Sequence, residues 1–163
     1  MAYEHLNCQT CGQRLSYELE IDKGTVEILT KMARFIRAKG INAVHLSKEM
    51  LKQGIITHHQ VGNISRPRFH GLVARIKGEV GNFGMTQKGM DFLRGEPIAR
   101  TIIIKKAAGP GSPAHVIGHS DEQVTIHQID REWGDYWSGN GYIIEAGRVI
   151  TEPPVKNHQA RLV

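Results

Sequence analysis

Residues 68 to 95, RFHGLVARIKGEVGNFGMTQKGMDFLRG, admit two secondary-structure readings, and the choice between them decides the fold. Phe69, Leu72, Val73 and Ile76 recur at helical spacing, whereas Leu72, Ala74 and Ile76 alternate with Val73, Arg75 and Lys77 as in a strand. Gly71 favours the strand. Glycine readily takes the left-handed conformation that commonly ends a helix, so RFH closes one element and LVARIKG opens the next. Gly78, Gly81 and Asn82 then make a turn, and NFGMT returns antiparallel to LVARIKG. Thr86 caps a closing helix, QKGMDFLRG, whose apolar side holds Met90, Phe92 and Leu93.

Working upstream, DKGTVEILTKMARFIRAKG reads as a helix with Thr25 as its N-cap and Gly40 as its stop. Ile28, Leu29, Met32, Ala33, Phe35 and Ile36 fall on one half of the wheel, and Glu27, Lys31, Arg34 and Arg37 on the other. INAVHLS reads as a short strand, with Ser47 capping a short helix KEMLKQG that Gly54 ends. Thr57 caps a further helix over HHQVGNISRPRFH, with Val61 and Ile64 facing inward. Pro67 removes a backbone N–H, at a cost on the order of 3 kcal/mol in a helix interior, and predicts a kink or break near Ser65. The order is helix, strand, helix, helix, hairpin, helix.

From Glu96 onward, EPIARTIIIKK, AHVIG and EQVTIHQI read as short strands around the turn-rich AAGPGSP. A further hairpin is expected through Gly139, Asn140 and Gly141, and the rings of Trp133, Tyr136 and Trp137 are expected to close the core of this appendage. The expected organisation is a cysteine-bearing arm over 1–20, a central domain over 21–96, a β-rich appendage over 97–150 and a loosely held tail over 151–163.

FHGLVARIKG, the Gly-Asn turn and GMTQKGMDFLRGE together resemble the helix end, wing and closing helix of winged helix-turn-helix regulators. Thr86, Gly89, Phe92 and Leu93 match the common LTxxGxxFL sequence, with Met85 in place of its leucine. The likeness runs over residues 22 to 106 and is similar to small winged-helix proteins of phages and mobile elements. It implies a winged helix-turn-helix domain, and with the chain's own patterns on either side the expected fold is α+β: that domain with a zinc-knuckle-like N-terminal arm and a small C-terminal β-rich appendage. It also implies transcriptional regulation by binding double-stranded DNA, the helix before the wing entering the major groove and the wing touching backbone or minor groove. Two features depart from the family pattern: Pro67 inside the candidate recognition helix, and a wing with little charge beyond Lys77 and Glu79.

The 163 residues carry 21 Lys and Arg against 16 Asp and Glu, and the resulting +5 favours anionic partners. A helix over 58–70 would present His59, Asn63, Arg66 and His70 on its outer side, with Gln60 at the edge. Asn and Gln can read adenine and Arg can read guanine by paired hydrogen bonds. Arg68, Arg75 and Lys77 are placed instead for phosphate contacts, which add affinity and salt dependence rather than sequence choice. The same face could be a solvated or partner-protein surface. A protein-interaction or inhibitor module on a winged-helix scaffold is therefore the alternative, motivated by Pro67, the weak wing and the aromatic pair Trp133 and Trp137.

HLNCQTCGQ has the Cys-x-x-Cys-Gly spacing of a zinc knuckle, which lets two thiolates face one ion. Cys8 and Cys11 supply half of a four-ligand site, so His5, a distant His or a second subunit in a homodimer has to complete it. A reducible pair would lack the βαβ surroundings of thioredoxin-like proteins, and two ordinary thiols are the plain alternative. His115, His119, Asp121, Glu122, His127 and Asp130 gather in HVIGHSDEQVTIHQID, but a β-branched context keeps His115 and His119 from sharing a helical face. No nucleophile elbow, Walker loop or dinucleotide fingerprint is present, and no enzyme is expected. No window approaches the roughly 20 apolar residues of a membrane span and no basic-then-apolar leader opens the sequence, so the expectation is a cytoplasmic protein without a membrane partner.

Overall fold

Helix α1 (Lys23–Lys39) buries one face completely: Val26, Leu29, Met32 and Ile36 are each 0% exposed. Full burial of such side chains contributes about 1.5–3 kcal/mol apiece, which makes α1 the spine of the core. Its N-cap is Asp22 rather than Thr25. The Asp22 carboxylate accepts from both the amide and the hydroxyl of Thr25 at 2.8 Å, so Thr25 is the donor of the cap and not its acceptor. Gly40 ends the helix at φ +62°.

The computed structural model describes residues 6–139, which form a mixed α+β fold of short helices and small antiparallel sheets. After α1 comes β2 (Val44–His45), following an earlier strand β1 (Ser16–Glu20). A π-helical segment, Leu46–Leu51, starts directly from β2, and its cap is His45 instead of Ser47. His45 Nδ1 accepts from the Lys48 amide at 3.1 Å while Glu49 accepts from the His45 amide at 2.7 Å. Helices α2 (His58–Gly62) and α3 (Ser65–Phe69) replace the single expected helix. The break falls at Asn63 and Ile64, and Pro67 sits in the first turn of α3, where a missing N–H removes no helical bond.

Gly71 has φ +78°, and the amides of Gly71 and Leu72 donate back to the carbonyls of Arg68 and Pro67. That is a Schellman ending, and it turns the chain from α3 into β3 (Val73–Arg75). Strand β4 (Asn82–Met85) pairs antiparallel with β3, Ala74 opposite Gly84, and with β2, Val44 opposite Phe83, giving the order β2-β4-β3. Helix α4 (Gln87–Leu93) follows under its Thr86 cap. A Cβ on Gly89 would lie 2.1 Å from the Leu72 carbonyl oxygen, so only glycine lets α4 rest on the backbone at the root of the hairpin.

A second sheet crosses the expected boundaries at residues 20 and 96. Strand β1 pairs antiparallel with β6 (Thr101–Lys105), which pairs with β7 (His115–His119). Arg100 bridges the join, its guanidinium 3.1 Å from Glu20 and 3.0 Å from Glu122. Strands β5 (Ile98–Ala99) and β8 (Gln123–Val124) form a two-stranded ladder. The expected strand EQVTIHQI is therefore mostly something else: after β8, Thr125 and Gln128 form a capping box that starts α5 (Ile126–Ile129).

The segment expected to begin a hairpin instead forms α6 (Arg131–Gly139). Trp137 is buried and its indole donates to Thr30 of α1 at 3.1 Å, so these rings close the main core rather than a separate β core. Ile98, Val124 and Ile126 join the same core. The sheet β1-β6-β7 has a smaller cluster of Leu19, Ile102 and Ile104, and Phe69 from the end of α3 packs on it. Among the described residues, no helix is long and apolar enough to cross a membrane. The expected turn at Asn140 and Gly141 and the tail over 151–163 lie outside the described residues.

Candidate nucleic-acid interface

The candidate reading face begins at a capping box. Thr57 accepts from the Gln60 amide at 3.1 Å, and the Gln60 side chain accepts from the Thr57 amide at 3.1 Å. The same Gln60 carbonyl accepts from Lys31 at 3.0 Å, and its amide donates to Glu27 at 3.1 Å. Gln60 thus holds α2 to α1. His59 and Asn63, one turn apart, bond to each other at 3.0 Å.

Arg66 is committed as well. Its guanidinium donates to Asp22 at 2.9 Å, across to the cap of α1. The cleft between α1 and α2, about 520 Å³, is consequently lined by charges of both signs that pair with one another: Asp22 with Arg66, Glu27 with Lys31.

His70 differs most from expectation, being only 2% exposed instead of lying on an outer face. Phe69 and the Schellman turn draw the end of α3 inward, and Nε2 of His70 is buried without a hydrogen-bond partner. Burial foremost, then the neighbouring Lys88 ammonium, pushes its pKa down to about 4, so the ring is neutral at pH 7. A neutral, enclosed imidazole cannot touch a base edge. No residue of α3 is fully exposed, so the segment that would enter a groove is half-covered along its length.

Arg68, Arg75 and Lys77 are differently placed. The Arg68 guanidinium lies 4.8 Å from the Phe69 ring centroid, and burial, then Arg75, holds it below its ordinary pKa. Neither Arg68 nor Arg75 has an ion pair with a carboxylate among the described residues. Arg75 and Lys77 are exposed on β3 and at the start of the turn, with Gly78 at φ +81°. At the tip Val80 is 89% exposed. Two like charges brought together without a counter-charge form a site that an anion would relieve.

Two cationic features were missed in the sequence. Lys88 is exposed over part of its surface, but its side chain, ammonium included, lies over Gly71 at the hairpin root, where burial holds it below its ordinary pKa. A groove of about 430 Å³ on α1 is lined by Lys31, Arg34 and Lys39 over Phe35 and Ile55. The signal for it was the basic outer half of α1, which reads as an ordinary solvated face. Arg34 is partly engaged there, its guanidinium 5.5 Å from the Tyr136 ring centroid and 5.9 Å from that of Trp133.

At the other end of the chain, Cys8 and Cys11 sit in a tight turn. Leu15 donates to Leu6 at 2.7 Å, Cys8 to Gln13 at 2.7 Å and Gly12 back to Cys8 at 2.9 Å, closing a small antiparallel loop. The amides of Cys11 foremost and Thr10 next point at the Cys8 sulfur and hold its thiol below the ordinary pKa. The chemistry of this pair fits a soft divalent ion. His5 lies outside the described residues, and no group of three His, Cys, Asp or Glu suited to a metal occurs among those described, the His115 to Asp130 stretch included. No family model matches the chain, and no curated protein or solved structure is significantly similar to it.

Proposed function

We propose that this chain is a winged helix-turn-helix protein that binds double-stranded DNA chiefly through backbone phosphates, with little base readout. The order α1, β2, helical segment, α2–α3, β3, β4, α4, with its sheet β2-β4-β3, supports the winged-helix reading. The observation that carries the binding reading is the unneutralised pair Arg68 and Arg75, flanked by Lys77. Arg66 and Gln60, which would have read bases, are spent on internal bonds. In the setting that the resemblance implies, such binding would serve transcriptional regulation in a phage or mobile element, at an affinity set mainly by charge.

The test is a duplex titration at about 50 and about 200 mM salt. Each of Arg68→Gln and Arg75→Gln should weaken binding similarly for unrelated sequences and reduce the salt slope by about 0.9. Absence of binding at the lower salt would remove the proposal. Val80, an apolar side chain at the hairpin tip, favours a second reading as a protein-interaction module. A partner held at high salt by the native chain and released by Val80→Asp would favour that reading over DNA.

A further inference from the structure

The turn at Cys8 and Cys11 brings two free thiols together at the tip of a small hydrogen-bonded loop. Among the described residues nothing else can complete a metal site with them. Cys8 is partly covered and Cys11 exposed, so the pair opens outward to solvent rather than into the core. The amides of Cys11 and Thr10 face the Cys8 sulfur and can stabilise a metal-bound thiolate. Gly12, at φ +71°, lets the chain turn back immediately after the second cysteine. The arrangement offers two sulfurs, that of Cys8 with its supporting amides already in place, and two cysteines would leave two positions of a tetrahedral ion open.

We infer that Zn²⁺ joins two copies of this chain, each contributing Cys8 and Cys11 to one four-sulfur site. Residues Gln9 to Arg14 around the turn are exposed, so two turns can meet tip to tip without displacing core. No acidic residue lies between Leu6 and Leu15, and Arg14 is the one charged side chain there, so the apposed turns carry no carboxylates. Binding releases four thiol protons to solvent and leaves a site of charge −2, which the two Arg14 side chains can offset. Leu6, 41% exposed beside the turn, is one of three exposed large apolar side chains among the described residues, and a second copy would cover it.

The inference does not depend on DNA binding, and its test uses none. The purified full chain is assayed for zinc content and for mass by light scattering, before and after chelation and with reductant present throughout. The expected result is one zinc per two chains, a dimer that becomes monomeric on chelation, and reassembly on adding Zn²⁺ alone. Cys8→Ser and Cys11→Ser should each abolish zinc and dimer together while the far-ultraviolet circular dichroism of the monomer is kept. Replacement by Co²⁺ should give the sulfur-to-metal charge-transfer absorption of a tetrathiolate. One zinc per monomeric chain would overturn the shared site. So would no zinc, or a dimer indifferent to chelation.

Discussion

The segment α2–α3 and the hairpin β3–β4 carry similar polar residues, yet they differ in what those residues touch. In α2–α3, Gln60 caps its own helix and grips α1, Arg66 closes on Asp22, and His70 is sealed in the interior. At the hairpin, Arg75 and Lys77 stand exposed, and Arg68, its guanidinium over the Phe69 ring, feels the charge of Arg75 from the end of α3. A cation is available to a partner only when the fold has not already given it an anion. The boundary between holding the protein together and facing outward runs between Arg66 and Arg68, two residues apart on one short helix.

The two regions share a joint at Gly71, Leu72 and Gly89, and breaking it should have the largest effect. Gly89→Val would drive side-chain atoms into the Leu72 carbonyl and is expected to cost about 3 kcal/mol or more in urea unfolding. A loss under 1 kcal/mol would mean that α4 is not seated there.

Next comes acid. The folded pKa of His70 is depressed to about 4 against an unfolded value of 6.5, so the native state binds fewer protons than the unfolded chain between those values. Stability is then full above pH 6.5 and falls as pH drops toward 4, by about 3 kcal/mol in all. His70→Leu should flatten that limb, and an unchanged pH profile in the variant would show that the ring is not sealed. Gly71→Ala should cost about 1–2 kcal/mol by thermal unfolding, because alanine must take φ +78°.

The smallest effect sharpens the contrast most. Asp22 and Arg66 are 50% and 39% exposed, so Arg66→Ala should cost about 0.5 kcal/mol or less. It should leave the salt slope of DNA binding unchanged, whereas Arg75→Gln lowers it. Equal slopes for the two variants would erase the distinction between the regions.

Local patterns carried much of this fold. The buried stripe of α1 follows its 3.6-residue period, Gly71 marks the switch from helix to strand, and Pro67 signals an interrupted helix. Neighbours in space did not announce themselves. Nothing near Arg66 in the sequence points to Asp22, 44 residues earlier, and nothing in SYELE points to TIIIK. The outer position expected for His70 assumed a regular helix, whereas the Schellman turn and Phe69 rotate that end inward.

Other signals were present but outvoted. Thr125 and Gln128 spell a capping box inside a β-branched run. Gly134 weakens the helical look of REWGDYWSG, yet a Cβ there would meet the His127 ring at 2.7 Å, so the glycine serves the packing of α5 against α6. In the candidate site, residue type was legible and availability was not, because availability depends on tertiary partners.

The pairing of β1 with β6 also bears on how the molecule assembles in time. Glu20 and Arg100 are 80 residues apart, and closing a loop of that length costs about 4 kcal/mol in chain entropy before any contact across it is gained. The helices and hairpin between them pack largely on one another and can begin to organise first, with α5 and Trp137 added later to the same core. During synthesis β1 must wait, an unpaired edge, until Thr101 to Lys105 have left the ribosome. Folding should therefore show a slow final phase reported by β1, and Ile103→Pro in β6 should abolish that phase while sparing the faster one.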